Sequence, residues 1–137
     1  MATPTYQAPL TDKFKENVAN VAAGSDLTTI VAKARFTGTV TSVTYAPVAG
    51  ITGADTNTRL VQLVNKGQNG SGSTVIASLQ FNSGVNATAF DEKPITLSGT
   101  PANLDVAADD ILAWVSTHVG TGLADPGGTV FVEISRA

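Results

Sequence analysis

The sequence predicts an all-β protein, a sandwich or barrel of seven to nine short antiparallel strands, and three observations favour this fold class. Apolar and polar residues alternate with a period of two from Leu27 onward. Gly, Pro or Asn recurs at nearly every turn, about every 8–12 residues. A β/α fold needs amphipathic segments of about 10–15 residues between strands, and no such segment follows Ala23.

The chain begins with a polar segment, residues 1–11, that contains Pro4 and Pro9 and shows no hydrophobic period. Proline blocks helix formation and removes a donor from a strand ladder. We therefore expect residues 1–11 to form an extended arm that lies outside the core.

Residues 12–23 fit two structures. Phe14, Val18 and Val21 fall at i, i+4 and i+7, as in an amphipathic helix, whereas the alternation of Phe14, Glu16 and Val18 fits a strand. We expect a strand, because every later element has strand character, and the helix stays open as the alternative.

The later strands are each bounded by turn residues. Residues 67–73 contain Asn-Gly, a strong hairpin signal. Thr58–Asn65 is apolar on both faces, which indicates a central strand, and the alternation shifts near Ser42, which predicts a β-bulge. The predicted strands after residue 23 are 27–36, 39–46, Thr58–Asn65, 75–81, 87–90, 93–97, 104–106, Ile111–Val119 and 129–134.

The composition excludes several classes of function. The 137 residues include no Cys and one His, so disulfides, thiolate zinc sites and cysteine nucleophiles are excluded. Charged residues make up 14% and the net charge is -3, which argues against nucleic-acid binding. The mostly apolar stretch 104–119 contains three aspartates, and no bilayer-spanning segment of about 20 apolar residues is visible. We expect no nucleic acid and no membrane among the partners.

Candidate catalytic and metal-binding residues are few. Ser116, His118 and Asp125 contain the residue types of a hydrolytic triad, but no G-x-S-x-G elbow presents the serine. Asp105, Asp109 and Asp110 lie close together without the spacing of a calcium loop, and capping of a turn explains them. The sequence therefore predicts no enzyme, no metal and no cofactor.

Aromatic side chains suggest a second covered surface. If the odd-numbered residues of Ile111–Val119 face the core, Leu112 and Trp114 face the other way, and Phe131 likewise points away from the apolar face of its own strand. Either this second face is covered within the same sandwich, or it is a subunit interface, where aromatics are enriched and charges depleted. The predicted interface residues are Leu112, Trp114 and Phe131.

The segment LDVAADDIL, residues 104–112, joins two strands through small residues and an aspartate. It resembles the v-x-x-G-D-x-l turn of trimeric jelly-roll domains, with Asp109 where glycine is usual. Residues 39–134 also resemble small virion proteins of tailed bacteriophages. The segments that carry this resemblance are TSVTYAPVAGITGADTNTRLVQLVNKG, DEKPITLSG, LDVAADDILAWVS and GTGLADPGG.

The resemblance implies a capsid decoration or cement protein. Such a protein is a jelly-roll-like antiparallel β-sandwich, here a single domain over residues 12–137, that assembles as a homotrimer and binds the major capsid protein on the outer surface of the virion. The apolar residues Tyr6, Leu10 and Phe14 would then bind the shell. The alternative is a receptor- or carbohydrate-binding module of a phage tail fibre, with sugars bound by loops 47–56 and 120–128.

Overall fold

The computed structural model describes residues 10–137, which form two antiparallel sheets packed as a sandwich. This confirms the predicted fold class. Seven strands have seven or more residues, three have two, and one short 3₁₀ helix, Pro101–Leu104, precedes β8. The strands are β1 (Thr11–Val18), β2 (Leu27–Lys33), β3 (Gly38–Pro47), β4 (Thr58–Asn65), β5 (Thr74–Gln80), β6 (Lys93–Pro94), β7 (Thr96–Leu97), β8 (Asp105–Val106), β9 (Ile111–Val119) and β10 (Gly128–Arg136).

The strand pairing is nested. β1 pairs with β10, β2 with β9, β3 with β6 and β8, and β4 with β5. The first sheet has the order β1-β10-β3-β6, with β8 also on β3, and the second has the order β2-β9-β4-β5-β7. A chain folded back on itself in this way and wound into two sheets is a jelly roll.

The core lies between the two sheets, where alternate side chains of each strand meet. In β10, Val130, Val132 and Ile134 point inward and are each 1% exposed. In β4, Val61 and Leu63 are fully buried, and the strand lies between β9 and β5. The predicted central position of Thr58–Asn65 is therefore confirmed.

Three bulges change the alternation, one each in β3 and β2 and one at Ile76 of β5. Glu133 pairs with Ser42 but Ile134 pairs with Val40, so Thr41 is the extra residue of the bulge that was expected near Ser42. A second bulge in β2 places Val31 inside and leaves Ile30 65% exposed. The unbroken alternation expected over residues 27–36 is therefore wrong.

The remaining differences from the predicted strands lie in residues 12–23, 87–90 and 93–97. A strand does form at the start of residues 12–23, and β1 already includes Thr11, so the helix alternative is wrong. Residues 87–90 form an isolated bridge from Ala87 to Ile51 followed by a turn, not a strand. The expected strand 93–97 divides into β6 and β7, one in each sheet, because the chain crosses between the sheets at the buried Ile95. This division raises the strand count to ten.

Candidate functional site

The structure corrects the predicted interface on β9. Leu112 and Trp114 point into the sandwich and are 0% and 1% exposed. The Trp114 ring centroid lies 5.3 Å from that of Tyr45 in the opposite sheet. A neighbouring copy cannot contact either side chain in the folded domain, so the alternative of burial within one sandwich applies to both.

Phe131 has a different environment. It lies in the middle of the outer face of the first sheet, opposite Lys15 of β1 and Thr44 of β3, and is partly exposed. It therefore remains a candidate for contact with another chain.

The three predicted shell-binding residues also differ from one another in their environments. Tyr6 lies outside the described residues. Leu10 is 48% exposed, and its carbonyl oxygen accepts a hydrogen bond of 2.8 Å from the backbone N–H of Arg136. Phe14 lies in β1 opposite Val132 and packs against the core. Phe14 therefore belongs to the sandwich and not to the arm, because its strand is paired along its whole length with β10, and its contact with the shell stays a prediction.

Ser116, His118 and Asp125 do not form a catalytic triad. The Ser116 hydroxyl donates directly to Asp125 Oδ2 at 2.8 Å, whereas His118 Nδ1 lies 2.6 Å from Asp26 Oδ1. Ser116 is also only 2% exposed. A catalytic triad requires a histidine base on the serine hydroxyl and access for substrate, and Ser116 has neither.

Asp125 belongs instead to a buried polar network at one end of the sandwich. Its Oδ1 accepts a 2.5 Å hydrogen bond from the Tyr45 hydroxyl and a 3.1 Å hydrogen bond from the backbone N–H of Gly127. Burial raises the pKa of the Tyr45 phenol, and the adjacent Asp125 carboxylate raises this pKa further. Tyr45 is therefore held as the neutral donor to a buried carboxylate.

Arg59 of β4 completes this network. Its side chain is 0% exposed, and all five of its N–H groups have acceptors. Burial lowers the pKa of the Arg59 guanidinium, and the carboxylates of Asp125 and Asp26 oppose this effect. The acceptors are the carbonyl oxygens of Leu123 (2.8 Å), Ser25 (2.8 Å), Ala22 (2.9 Å) and Ala23 (3.1 Å) and the hydroxyl of Ser116 (3.5 Å).

The network joins the loop between β1 and β2 to the loop between β9 and β10, because the carbonyl groups that Arg59 binds come from both. Sequence reasoning did not identify this role. The available signal was a single charged residue, Arg59, at an inward position of the central strand β4, since an arginine is almost never fully buried unless its donors are paired.

The acidic turn before β9 is structural. Asp110 Oδ2 accepts hydrogen bonds of 2.9 Å from the backbone N–H of Ala107 and from Asn65 Nδ2. Asp109 adopts a left-handed conformation with φ 75°, which is the conformation that glycine at this position of the motif would adopt without strain. Within residues 10–137 no group of three or more His, Asp or Glu side chains converges as a metal site. In the same residues no helix is long and apolar enough to cross a bilayer.

The outer surface of the second sheet is the main candidate for binding. Residues directly opposite each other in neighbouring strands share a face, and Leu63 and Trp114 define the inner one. No outward residue of β4, β5 or β9 is charged, and Lys33 of β2 lies at one corner. We call this surface the apolar face. Its apolar members are Ile30, Leu60, Val75, Ile111 and Val115, while Val64 and Ala113 point to the same side but are buried within the chain at 7% and 1% exposure.

Comparisons with known proteins add little. No family model and no curated protein matches the chain. A solved structure titled Desmodium yellow mottle tymovirus matches 99% of this chain and 86% of that chain, with 15% identity and a TM-score of 0.34. A likeness of this size assigns neither fold nor function. The strand pairing defines the chain as a jelly-roll protein, and the apolar face defines its main candidate binding surface.

Proposed function

We propose that the chain is a non-enzymatic structural protein of a virion, a decoration or cement protein that binds the outer surface of a tailed-phage capsid as a homotrimer. The apolar face is the observation that carries this proposal. Depletion of charge at the centre of a surface is typical of protein interfaces, and the one charged side chain on this sheet face, Lys33, lies at its corner. The resemblance of residues 39–134 to small phage virion proteins supports the location.

The area of the apolar face indicates how strongly a single contact through it would bind. Four strands about 4.8 Å apart and about eight residues long give a surface of roughly 500 Å². A stable interface buries about 800 Å² on each partner. At about 25 cal/mol per Å², burial of a fully apolar face of this size contributes about 12 kcal/mol from this side of the contact, which is similar to the 4–15 kcal/mol lost on association. One such contact is weak. A symmetric assembly that repeats the contact several times on a shell binds tightly, because the later contacts form within the same assembly.

We assign the face to a neighbouring copy of the chain. Each chain carries a net charge of -3, so copies repel one another least where no acidic side chain lies between them. A three-fold contact joins two different patches of adjacent copies. Phe131, on the other sheet, is the candidate from sequence for a second patch.

Self-association is tested with Val115→Lys, which places a charge near the middle of the apolar face, opposite Gln62 and Thr28. Sedimentation or light scattering should give a mass of about 42 kDa for the wild type, three times the 13.9 kDa of one chain. The variant should sediment as a folded single chain. Ser83→Lys, with the same charge in an exposed turn, should keep the trimer mass. A wild type that stays monomeric at every concentration, or a trimeric Val115→Lys, would exclude this use of the face.

Shell binding is tested by co-sedimentation with empty shells assembled without this chain. The wild type should saturate a fixed number of sites, and the shells should resist heat better when it is bound, as for any ligand that binds only the assembled state. The double variant Tyr6→Ser, Leu10→Ser should fold normally and bind weakly. Unchanged binding by this variant would remove the arm from the shell contact.

A further inference from the structure

We propose that Phe90 is an anchor that inserts into an apolar pocket of the capsid shell protein, and that the pocket is bordered by cationic side chains. This inference rests on the proposed function and names a contact within it. Phe90 is 81% exposed, the most exposed of the large hydrophobic side chains in the described part of the chain.

The backbone at Phe90 is also unfavourable for that residue. Its φ is +60°, in the left-handed region that a bulky L-residue avoids at a cost of about 1–2 kcal/mol. Glycine would adopt this conformation without strain. Phe90 therefore combines a strained backbone with an apolar ring in water, and the folded chain gains little from either feature. Strain of this kind in a well-held position points to function.

The turn that carries Phe90 is fixed by groups other than its ring. The backbone N–H of Phe90 donates to the carbonyl oxygen of Pro47 at 2.8 Å, and the N–H of Asp91 donates to Thr88 at 3.2 Å. The Thr44 hydroxyl donates to Glu92 at 3.1 Å. A ring displayed on an already ordered turn loses little entropy on binding, as an interface anchor requires.

The neighbours of Phe90 indicate the chemistry of the partner. Val48, in the segment that follows Pro47, is 52% exposed and adds apolar surface. Asp91 and Glu92 are exposed, and neither forms an ion pair with any other described residue. A pocket that accepts the ring beside two carboxylates is apolar with Lys or Arg at its border. The same carboxylates disfavour an anionic membrane surface.

The deciding variant is Phe90→Gly in the full-length chain, because it separates folding from binding. Relief of the left-handed strain, offset in part by the greater freedom of glycine in the unfolded chain, should leave Tm unchanged or raise it by up to about 6 °C. Loss of the ring should weaken binding to the shells by about 30-fold or more, as for an interface hot spot. Phe90→Tyr keeps the ring and the strain and should bind within a few-fold of the wild type. The double variant Asp91→Asn, Glu92→Gln should bind more weakly and with less dependence on salt.

Each other outcome overturns the inference in a recognisable way. If the wild type binds the shells and Phe90→Gly binds them equally well, Phe90 is not an anchor, and the proposed function stays intact. A lower Tm for Phe90→Gly shows that the ring supports the fold. A wild type that does not bind shells removes the proposed function together with the named partner. Binding to phosphatidylcholine vesicles or to a glycan array that disappears in Phe90→Gly assigns the ring to a lipid or a sugar instead.

Discussion

Tyr45 donates a buried hydrogen bond to Asp125, and this bond should make the free energy of unfolding fall as pH rises above 10. The pKa of Tyr45 is raised in the folded chain from its ordinary value of 10.0. A raised pKa contributes stability that is fully present below the ordinary pKa and is lost as pH rises above it. Between pH 10 and 11.5 the unfolded chain releases the Tyr45 proton and the folded chain keeps it.

The size of this pH dependence follows from the single proton that the Tyr45 phenol keeps in the folded chain and releases in the unfolded chain. The free energy of unfolding should fall by about 1.4 kcal/mol per pH unit above pH 10 because of Tyr45, or about 2 kcal/mol by pH 11.5. Tyr45→Phe abolishes this dependence and removes a hydrogen bond to a charged group, which costs about 1.5–3 kcal/mol at neutral pH. The two stability curves should therefore converge and meet at about pH 11–12.

The assay is urea unfolding at pH 7 to 11.5 in a Tyr6→Phe background. The chain has two tyrosines, so Tyr45 is then the only phenol, and its ionisation can be followed by tyrosinate absorbance. Lysine ionisation affects the Tyr6→Phe protein and its Tyr45→Phe variant equally, so it cancels in the comparison. Parallel curves for the two chains, or tyrosinate absorbance from the folded chain near pH 10, would refute the assignment.

Three further predictions concern single side chains and are all measured by urea unfolding. Arg59→Met should destabilise the fold by about 3–5 kcal/mol, because it removes the cation and leaves buried acceptors unpaired. Trp114→Ala should cost about 3–5 kcal/mol as a core cavity, whereas Trp114→Phe should cost less than half as much, since Trp114 Nε1 has no hydrogen-bond partner among the described residues. Asp109→Gly should stabilise the fold by up to about 1 kcal/mol, because relief of the strained φ outweighs the exposed 3.6 Å ion pair with Lys33.

Each of these predictions has a result that contradicts it. Arg59→Met with wild-type stability would mean that the loops do not depend on the guanidinium. Equal losses for Trp114→Phe and Trp114→Ala would mean that the indole N–H has a partner. A destabilised Asp109→Gly would mean that the aspartate contributes more than its ion pair.

The fold class could be predicted because strands leave a simple signal. Turn residues and two-residue periodicity locate the long strands, and the phase shift near Ser42 located a real bulge. The same signal misassigned the faces of β9. Leu112 and Trp114 alternate with Ile111, Ala113 and Val115, and periodicity cannot choose the inner face when both sets are apolar. The bulge at Val31 was missed for a similar reason, because its neighbours are also apolar.

The candidate binding surfaces depend on information that is not local. The apolar face exists only because the β4–β5 hairpin lies beside β9 and β2, which come from distant parts of the sequence. The role of Arg59 depends on two loops that meet only in the folded chain. Phe90 was placed in a strand by its apolar neighbours, whereas the structure places it in a turn with a left-handed backbone.

The nested pairing has a consequence for how the protein is made. Thr11 pairs with Ser135, so the first strand finds its hydrogen-bonding partner only in the last strand. The ribosome must release every residue between β1 and β10 before this ladder can close, and topologies dominated by such distant pairings fold slowly, in about milliseconds to seconds. Until then β1 and β3 expose unpaired edges, so the nascent chain is most vulnerable to aggregation just before β10 leaves the ribosome.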